Sequence, residues 1–326
     1  MRGIAASVLV VSIALATAGA GLILHQKLKP APVPTPAAPV AGLPSGPPDE
    51  KTPPVPGPVV ATTECADNPR ALGVSRIVEV DTTGGPGFGF EHFKQHDFLR
   101  DKEVVLTFDD GPWPHNTPAV LAALAAHCLK ATFFPIGKHA AWHPEILRQV
   151  AEAGHTIGSH TWSHATLSRK SRQDAIREIE MGASAVRLAA GAPTAPFFRF
   201  PALRHAPDML AYLGQRNIAI FSCDMDSFDF TMRKPEQVVR SVMTKLEKHG
   251  KGIVLLHDFQ RATSQALPEL LHQLEANGYR IVHMVPKAPL QTIAQFDEML
   301  SRNNQLAVVS AGHGSTVVRT IREAPH

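Results

Sequence analysis

The chain has 326 residues, of which 44% are hydrophobic and 19% charged, and these proportions are ordinary for a soluble globular protein. Its formal net charge is only +3, and the lysines and arginines are dispersed along the chain. A nucleic-acid-binding protein usually carries a concentrated basic patch with interleaved aromatic residues. The composition therefore argues against nucleic acid as a partner, and the sequence predicts no protein partner.

The first 29 residues are interpreted as a targeting element. Arg2 is followed by 21 residues without a charge, Ile4 to Leu24, and then by Lys27 and Lys29. About 20 apolar residues span a bilayer, so this segment is predicted to be a membrane anchor. The run Ala18-Gly19-Ala20 also fits a small-residue cleavage site, and a cleaved signal peptide is the alternative.

A proline-rich linker is predicted over residues 30–62. Twelve of the 29 residues from Pro30 to Pro58 are proline, which gives an extended, semi-rigid spacer that forms no core. A spacer behind a membrane segment would hold the following domain away from the bilayer. We therefore expect an exported protein, periplasmic or otherwise extracytoplasmic, anchored in the inner membrane by its N-terminal segment.

Residues 63–286 are predicted to form one α/β domain, because short apolar runs alternate with longer amphipathic ones. Strands are predicted at Ser75–Val80, Glu103–Phe108, Ala131–Ile136, His155–Gly158, Phe197–Phe200, Ile218–Ser222, Gly252–Leu256 and Arg280–Val285. Helices are predicted at Pro118–His127, Pro144–Ala153, Arg172–Ala189, Pro207–Arg216, Pro235–His249 and Ser264–Asn277. Ser171 and Asp174 form a capping box for the third helix, and glycines such as Gly191 and Gly250 follow helix ends.

This alternation implies a mostly parallel sheet or a closed barrel. The candidate functional residues described below follow five different strands, which favours a distorted (β/α) barrel of about seven parallel strands. Residues 287–326 are polar and irregular, and they are predicted to form a surface tail with one short helix.

Two adjacent carboxylates, Asp109 and Asp110, follow the second predicted strand in the run TFDDGP (Thr107–Pro112). Neighbouring side chains of an extended strand point in opposite directions, so one aspartate can face a metal while the other faces water or substrate. The Gly-Pro pair then turns the chain and leaves both carboxylates at the strand end. An ordinary turn uses the same residue types, so this run alone does not decide between structure and catalysis.

Histidines four residues apart lie on one face of a helical turn and can bind one metal ion. The chain contains three such pairs: His92/His96, His139/His143 and His160/His164. The second pair is placed in a polar connection, and only the third directly follows a predicted strand. The spacing by itself is weak evidence, and the position after a strand selects the third pair.

Asp110, His160 and His164 are therefore predicted to bind a zinc ion and to leave its fourth position open for water, as catalytic zinc sites do. Position 161 is Thr, whereas the metalloprotease pattern has Glu there. The base must then come from elsewhere, and Asp109 is available.

Five short motifs follow one another along the chain: Asp109-Asp110 in TFDDGP, His160–His164 (HTWSH), Arg199–Pro201 (RFP), Asp226–Asp229 (DSFD) and Leu255–His257 (LLH). Together they resemble the five motifs of the polysaccharide deacetylases, carbohydrate esterase family four. The resemblance covers roughly residues 100–286. It implies a distorted barrel with one divalent metal ion at the positions of Asp110, His160 and His164, with Zn²⁺ expected first and Co²⁺ or another divalent ion as alternatives.

The resemblance also implies roles for further residues. Asp109 matches the general base, and Arg199 matches the residue that orients this base, although a purely structural ion pair remains open for Arg199. His257 matches the general acid, and Asp229 matches the carboxylate that favours the charged form of that histidine. A backbone N–H near Ala202 matches the donor to the oxyanion.

These matches imply a metal-dependent hydrolase of carbon–nitrogen bonds other than peptide bonds. Its substrate would be an N-acetylglucosamine-type polysaccharide, such as peptidoglycan or chitin-like oligomers, and its product the deacetylated polymer. Two alternatives stay open, namely a polysaccharide O-acetyl esterase and a non-catalytic glycan-binding module of the cell envelope. No glycine-rich phosphate loop follows a strand, so no nucleotide cofactor is expected.

Two positions depart from the family pattern. Phe230 stands where Trp is usual, and Ala202-Leu203 stands where an aromatic residue and Gly are common. The backbone donor survives the second change, but stacking on a sugar ring there is weakened, and the identity of the polymer is left open. Trp113 and Trp162 either supply aromatic surface instead or pack in the core.

The three cysteines, Cys65, Cys128 and Cys223, are an odd number for an exported chain. Cys65 is predicted to pair with Cys128, which leaves Cys223 free and buried. Three small buried apolar side chains are the alternative.

Overall fold

The structure is a computed structural model that describes Asn68 and residues 70–302. These residues belong to one compact unit of the chain, Val60–His326. The predicted membrane segment, the whole predicted linker (residues 30–62), Cys65 and residues 303–326 of the predicted tail lie outside the described residues. Among the described residues, no helix is both long and apolar enough to cross a bilayer.

Parallel strands form the centre of the domain. The strands of the described region are β1 (Val74–Val80), β2 (Gly87–Phe88), β3 (Glu103–Asp109), β4 (Thr132–Phe134), β5 (Thr156–Ile157), β6 (Phe197–Phe198), β7 (Ala219–Phe221), β8 (Met225–Asp226), β9 (Gly252–His257) and β10 (Arg280–Pro286). One sheet has seven strands in the order β1-β10-β3-β4-β5, with β9 beside β3 and β8 beside β9. The other sheet has three strands in the order β2-β7-β6.

The two sheets are joined by backbone hydrogen bonds between β5 and β6. The Ser159 N–H donates to the Phe197 carbonyl at 2.9 Å, and the Arg199 N–H donates to the Ser159 carbonyl at 3.1 Å. Ser159 and Phe198 form a parallel bridge between them. After β7 the chain passes through three residues into β8, which pairs with β9 of the larger sheet. The smaller sheet is therefore connected to the larger one through its edge strand β6 and through the chain that follows its middle strand β7.

β3 is the central strand, and all seven of its residues are buried. Its alternating side chains enter two different cores. Leu106 and Phe108 pack in the hydrophobic cluster that β3 forms with residues of the helices. Val105 packs in a second hydrophobic cluster, which includes Phe134 and Phe221. Side chains of a strand alternate between its two faces, so Asp109 lies on the same face of β3 as Val105, towards this second core. Pairing with β9 places Asp109 opposite His257, so the strand register itself brings two candidate residues together.

Helices cover the sheets. They are α1 (Asn116–Ala126), α2 (Gly137–Trp142), α3 (Pro144–Glu152), α4 (Arg172–Ala190), α5 (Pro207–Gln215), α6 (Pro235–His249) and α7 (Arg261–Ala276), and residues 294–302 are also helical. The predicted N-cap of α4 is confirmed, since Ser171 Oγ accepts from the Asp174 N–H at 3.1 Å, but the Asp174 carboxylate accepts from the Ser171 hydroxyl, so the capping box is formed only in part. Gly191 and Gly250 end α4 and α6 in the left-handed conformation, with φ of 64° and 77°, as predicted for helix C-caps.

Three elements have no counterpart among the predicted ones: β2, β8 and α2. Strands of two residues and a helix of six carry too little periodicity to be recognised in a sequence. β2 lies inside the glycine-rich run from Gly84 to Gly89. The helix α7 begins at Arg261, three residues before its predicted start at Ser264.

The placement in a polar connection is wrong for His139 and correct for His143. His139 lies in α2, and His143 lies between α2 and α3. The position of α2 is fixed by tertiary contacts, because the N–H groups of its first two residues donate to the carbonyls of Thr161 and Trp162, each at 2.9 Å. These carbonyls belong to the predicted metal-binding loop, so α2 is attached directly to it.

The cysteines and the end of the chain follow the predictions in part. Cys223 is a free and buried thiol, and Cys128 is disulfide-bonded. The pairing with Cys65 stays a prediction, because that residue lies outside the described residues. The helical residues 294–302 agree with the predicted short helix, and Leu300 is buried beside Met181 and Ala185 of α4. This part of the predicted surface tail therefore packs on the domain.

Candidate active site

The structure brings all the predicted site residues together at the carboxyl ends of the strands. Five of them line one cavity: Asp109, Asp110, His160, His164 and His257. Arg199 and Asp229 are fully buried behind the cavity, where they contact Asp109 and His257 respectively. In parallel sheets this edge carries the loops that bind ligands.

Asp110, His160 and His164 form a group that could hold a metal ion. Their potential ligand atoms lie within 4.8 Å of one another. The Asp110 Oδ1 atom lies 3.5 Å from the Nε2 atom of each histidine, which is too far for a hydrogen bond. Ligand atoms at about 2.0–2.2 Å from a tetrahedral zinc ion would be about 3.3–3.6 Å apart. Asp110 Oδ1 is buried without a hydrogen-bond partner among the described residues, so the donor set fits a bound cation.

His160 is oriented and kept neutral by its surroundings. Its Nδ1 lies 2.7 Å from the Arg199 carbonyl, which can only accept, so Nδ1 carries the proton and Nε2 presents its lone pair to Asp110. Burial lowers the pKa of His160 to about 3, although the charge of Asp110 opposes this shift. A neutral imidazole is the form that binds a metal ion.

The backbone at Asp110 is held in an unusual conformation. Its φ is 71°, in the left-handed region that non-glycine residues seldom adopt. The Asp110 N–H donates to the Phe134 carbonyl at 3.2 Å, and the Asp110 carbonyl accepts from His139 Nδ1 at 2.6 Å. Thr161 and His164 also have positive φ, at 65° and 57°. Backbone strain of this kind is maintained by surrounding contacts and is common at functional sites.

Asp109 and Arg199 form a buried ion pair. Arg199 Nη1 donates to Asp109 Oδ1 at 2.7 Å, and the guanidinium is completely shielded from solvent. The same guanidinium donates to Thr107 Oγ1 and to the carbonyls of Phe221 and Ser222, so its position is fixed from three directions. Burial raises the pKa of the Asp109 carboxyl, and the charge of Arg199 opposes that shift. The second oxygen, Oδ2, faces His160 Nε2 at 4.0 Å and remains available on the cavity side.

His257 and Asp229 form the second buried pair. His257 Nδ1 donates to Asp229 Oδ1 at 2.6 Å, and the His257 backbone N–H donates to Asp229 Oδ2 at 2.8 Å. Burial lowers the pKa of His257, but the hydrogen bond and the charge of Asp229, with the charges of Asp109 and Asp110, outweigh burial and raise this pKa to about 9. His257 is therefore protonated at neutral pH, and its Nε2 faces Asp110 Oδ2 at 3.9 Å.

The cavity above these residues has a volume of about 380 Å³, within the range of small-ligand sites. Phe228 and Phe230 form part of its lining, and each is 49% exposed. Ala202 and Leu203 lie on the lining as well. A wider groove of about 920 Å³ shares Ala202, Leu203 and Phe228 with the cavity, so the two spaces are continuous.

Sequence reasoning missed three residues that support this site: His139, Asp258 and Thr263. Thr263 Oγ1 donates to Asp229 Oδ2 at 2.5 Å. Asp258 Oδ2 accepts from Thr117 Oγ1 at 2.6 Å, and a side chain added at Gly111 would collide with this carboxylate. Asp258 and Thr263 belong to no motif whose spacing carries a signal, and His139 was set aside with the pair His139/His143, so only the fold reveals their contacts. The one indication in the sequence is that Asp258 directly follows His257, the last residue of the LLH motif.

The fold and the site define the class of the protein: a parallel α/β protein with a carboxylate–histidine–histidine group at its strand ends, flanked by two buried pairs of charged residues. The family pattern described as "Polysaccharide deacetylase" matches residues 97–220. A chitooligosaccharide deacetylase of Sinorhizobium fredii is 31% identical over 215 residues, which cover 60% of this chain and 99% of that relative. The chain belongs to the polysaccharide deacetylase family.

Other relatives are longer. The peptidoglycan-N-acetylglucosamine deacetylase PgdA of Listeria monocytogenes is 31% identical over 188 residues, which cover 56% of this chain and only 38% of that protein. Among solved structures, a peptidoglycan deacetylase of Bdellovibrio bacteriovorus superposes with a TM-score of 0.59 and 34% identity. That match covers 66% of this chain and 59% of the other.

Proposed function

We propose that this protein is a metal-dependent polysaccharide deacetylase that hydrolyses the N-acetyl groups of an N-acetylglucosamine-type polymer. The observation that carries the proposal is the buried, unpartnered Oδ1 of Asp110, placed 3.5 Å from two imidazole nitrogens and beside a second carboxylate. The names of the relatives, which act on chitooligosaccharides or peptidoglycan, support the same reaction. The bond that breaks is the amide C–N bond, and the products are acetate and a free amine on the sugar.

Asp110, His160 and His164 are the residues that would hold the divalent ion, with Zn²⁺ expected first. Such an ion would acidify a water molecule and polarise the acetyl carbonyl. Two neutral imidazoles and one carboxylate are a usual donor set for catalytic zinc. The neutral state of His160 and its Nδ1–H bond to the Arg199 carbonyl both suit a ligand.

Asp109 acts as the general base that takes a proton from the attacking water. Arg199 binds one oxygen of this carboxylate and leaves the other free towards the cavity. Burial raises the pKa of Asp109, and a carboxylate with a raised pKa is a stronger base than one in water. Arg199 is a positioning residue, because its hydrogen bonds are with Asp109, Thr107 and the backbone and not with groups in the cavity.

His257 acts as the general acid that gives a proton to the departing nitrogen. Its pKa of about 9 keeps it charged at neutral pH, and its Nε2 faces the cavity. Asp229 holds Nδ1 and favours the charged form. The tetrahedral intermediate carries a negative oxygen, and a backbone N–H near Ala202 on the cavity lining would stabilise it.

We also infer the finer architecture and location. The junction of β5 with β6, and the passage from β7 into β8 beside β9, support a distorted barrel of about seven strands. The uncharged run from Ile4 to Leu24 and the proline-rich linker support an exported, membrane-anchored protein that acts on the cell envelope. A periplasm-dependent reporter fused after residue 60 would test this, since an inactive reporter would refute export.

The activity is tested by acetate release from N-acetylglucosamine oligomers and from peptidoglycan. We expect activity that is lost on chelation, restored by Zn²⁺ or Co²⁺, and lost in Asp109→Asn. Release of acetate only from O-acetylated polysaccharide would replace amide hydrolysis by ester hydrolysis. Binding of the oligomers without any release would indicate a glycan-binding module, and activity that survives both the chelator and Asp109→Asn would contradict the proposed chemistry.

A further inference from the structure

An aromatic surface lies beside the candidate metal centre and has no place in the reaction described above. It consists of Trp113, His139 and Trp142, and we call it the aromatic platform. Trp142 is 59% exposed and Trp113 is 36% exposed. The His139 ring lies between them, with centroid distances of 5.2 Å to Trp113 and 5.3 Å to Trp142. Contiguous exposed apolar surface of this kind marks binding sites more often than random surface does.

The platform is attached rigidly to the proposed metal ligands. His139 Nδ1 donates to the Asp110 carbonyl at 2.6 Å. At the start of α2, the N–H groups of Gly137 and Lys138 donate to carbonyls in the loop that carries both histidine ligands. Trp113 is three residues after Asp110, and its backbone N–H donates to Thr117 Oγ1 at 2.8 Å. The His139 ring and the backbone that carries both tryptophans are therefore tied to the segments that carry the proposed metal ligands.

We propose that the aromatic platform binds a pyranose ring of the glycan substrate, adjacent along the polymer to the unit whose acetyl group lies in the cavity. This inference rests on the proposed function. A pyranose ring has apolar C–H faces and polar hydroxyl edges, so it can cover an indole face while its rim stays hydrated or meets the polar atoms of His139. An amphipathic aromatic surface in contact with water suits such a ligand.

Two further observations favour a sugar over simple packing. Edge-on contacts with His139 and His143 account for the position of Trp113. Trp142 also contacts the His139 ring, but more than half of its side chain stays open to water. In addition, Ala202 occupies the cavity wall where the family resemblance leads one to expect an aromatic residue. A polymer that loses stacking at Ala202 can regain it at the platform, on a surface that this chain supplies through Trp113 and Trp142.

The chain offers a direct optical test, because it has only three tryptophans and two of them form the platform. The third, Trp162, is partly buried against the cluster of Met181 and Leu300. Full-length Asp109→Asn protein is titrated with N-acetylglucosamine oligomers of two and of five units while tryptophan fluorescence is recorded. We expect a saturable change with the pentamer and an approximately tenfold weaker Kd in the same protein carrying Trp142→Ala, which corresponds to about 1.4 kcal/mol.

Kinetics on otherwise wild-type protein give the second measurement. Trp142→Ala should raise KM for the pentamer about tenfold with little change in kcat, and Trp142→Phe should restore most of the affinity. Ile77→Ala removes another exposed apolar side chain, 51% exposed on β1, and serves as the control that leaves both constants unchanged. Trp142 contributes little buried surface, so the melting temperature of its variants should stay close to that of the wild type.

An unchanged Kd and an unchanged KM for the pentamer in Trp142→Ala would overturn the platform as a sugar site, whatever the wild-type activity. Concentration-dependent dimerisation that is abolished by Trp142→Ala, with unchanged oligosaccharide binding, would assign the platform to self-association instead. If the wild type released no acetate from any oligomer, the proposed function would fail, and the fluorescence titration would still decide whether the platform binds sugar.

Discussion

Replacing Asp229 by Asn removes the negative charge that keeps His257 protonated. Asp229 Oδ1 accepts from His257 Nδ1 at 2.6 Å, and both groups are almost completely buried. An Asn side chain keeps the size and an acceptor oxygen but not the charge. Burial, which by itself lowers the pKa of His257, is then opposed only by the more distant Asp109 and Asp110. The variant should therefore lose the charged imidazole at neutral pH.

The size of the effect follows from the pKa. A shift from 6.5 to about 9 corresponds to about 3 kcal/mol of preference for the charged form. An adjacent opposite charge contributes about one to three pKa units to such a shift, and a general acid contributes about 10²- to 10⁴-fold to a rate. We expect the alkaline limb of the kcat profile to move down by at least about one pH unit. If the pKa of His257 falls by the full three units, to about 6, about one imidazole in a hundred stays charged at pH 8, and the rate there falls by about a hundredfold.

The assay is acetate release between pH 5 and 10, together with an NMR titration of the His257 ring in metal-free protein. Asp208→Asn, at an exposed position at the start of α5, is the control for the loss of one negative charge. The same pair also contributes to folding. Because the folded-state pKa of His257 is raised, its stabilising contribution is complete below about pH 6.5 and is lost as the pH rises through about 9. An unchanged alkaline limb, or an unchanged His257 titration, would refute the assignment of Asp229.

Two further predictions concern buried charge. Arg199→Met leaves the Asp109 carboxylate buried without its partner, so the free energy of unfolding, measured in urea, should fall by about 3–5 kcal/mol. A loss below about 1 kcal/mol would mean that the ion pair is not buried as described. Burial lowers the pKa of His155 to about 3 and that of His283 to about 4, so the unfolded chain binds protons at these positions before the folded chain does. The free energy of unfolding should therefore decline as the pH falls below about 6.5. In urea titrations at pH 4 to 7, His155→Gln should make that decline shallower. An identical slope in the variant would exclude His155 as the source of the decline.

The sequence predicted the parts of the fold that carry strong periodicity or chemistry. The buried run of β3 and the amphipathic helices α4 and α6 lie within a residue or two of their predicted bounds. The site residues could be found because each motif follows a strand, and parallel strands present their carboxyl ends at one edge. The pairing of Asp109 with His257 across β3 and β9 could not be read in advance, since it depends on register.

What the sequence did not reveal depends on tertiary contacts. The helix α2 has six residues and is fixed by bonds to the histidine loop, so His139 could not be placed beside Asp110 from its spacing. Thr263 and Asp258 lie in ordinary surroundings in the sequence, and their hydrogen bonds to Asp229 and Thr117 arise only when β9, α1 and α7 pack together. Similarly, nothing in the pattern around Trp142 indicates that its indole remains exposed.

The most direct measurement is the position and number of divalent ions bound to the purified protein. Elemental analysis combined with anomalous diffraction at the zinc edge should find one ion per chain, in contact with Asp110 Oδ1 and the Nε2 atoms of His160 and His164, and none in Asp110→Asn. An ion bound at another place, or full occupancy retained in Asp110→Asn, would contradict the proposed centre and with it the assignment of the reaction.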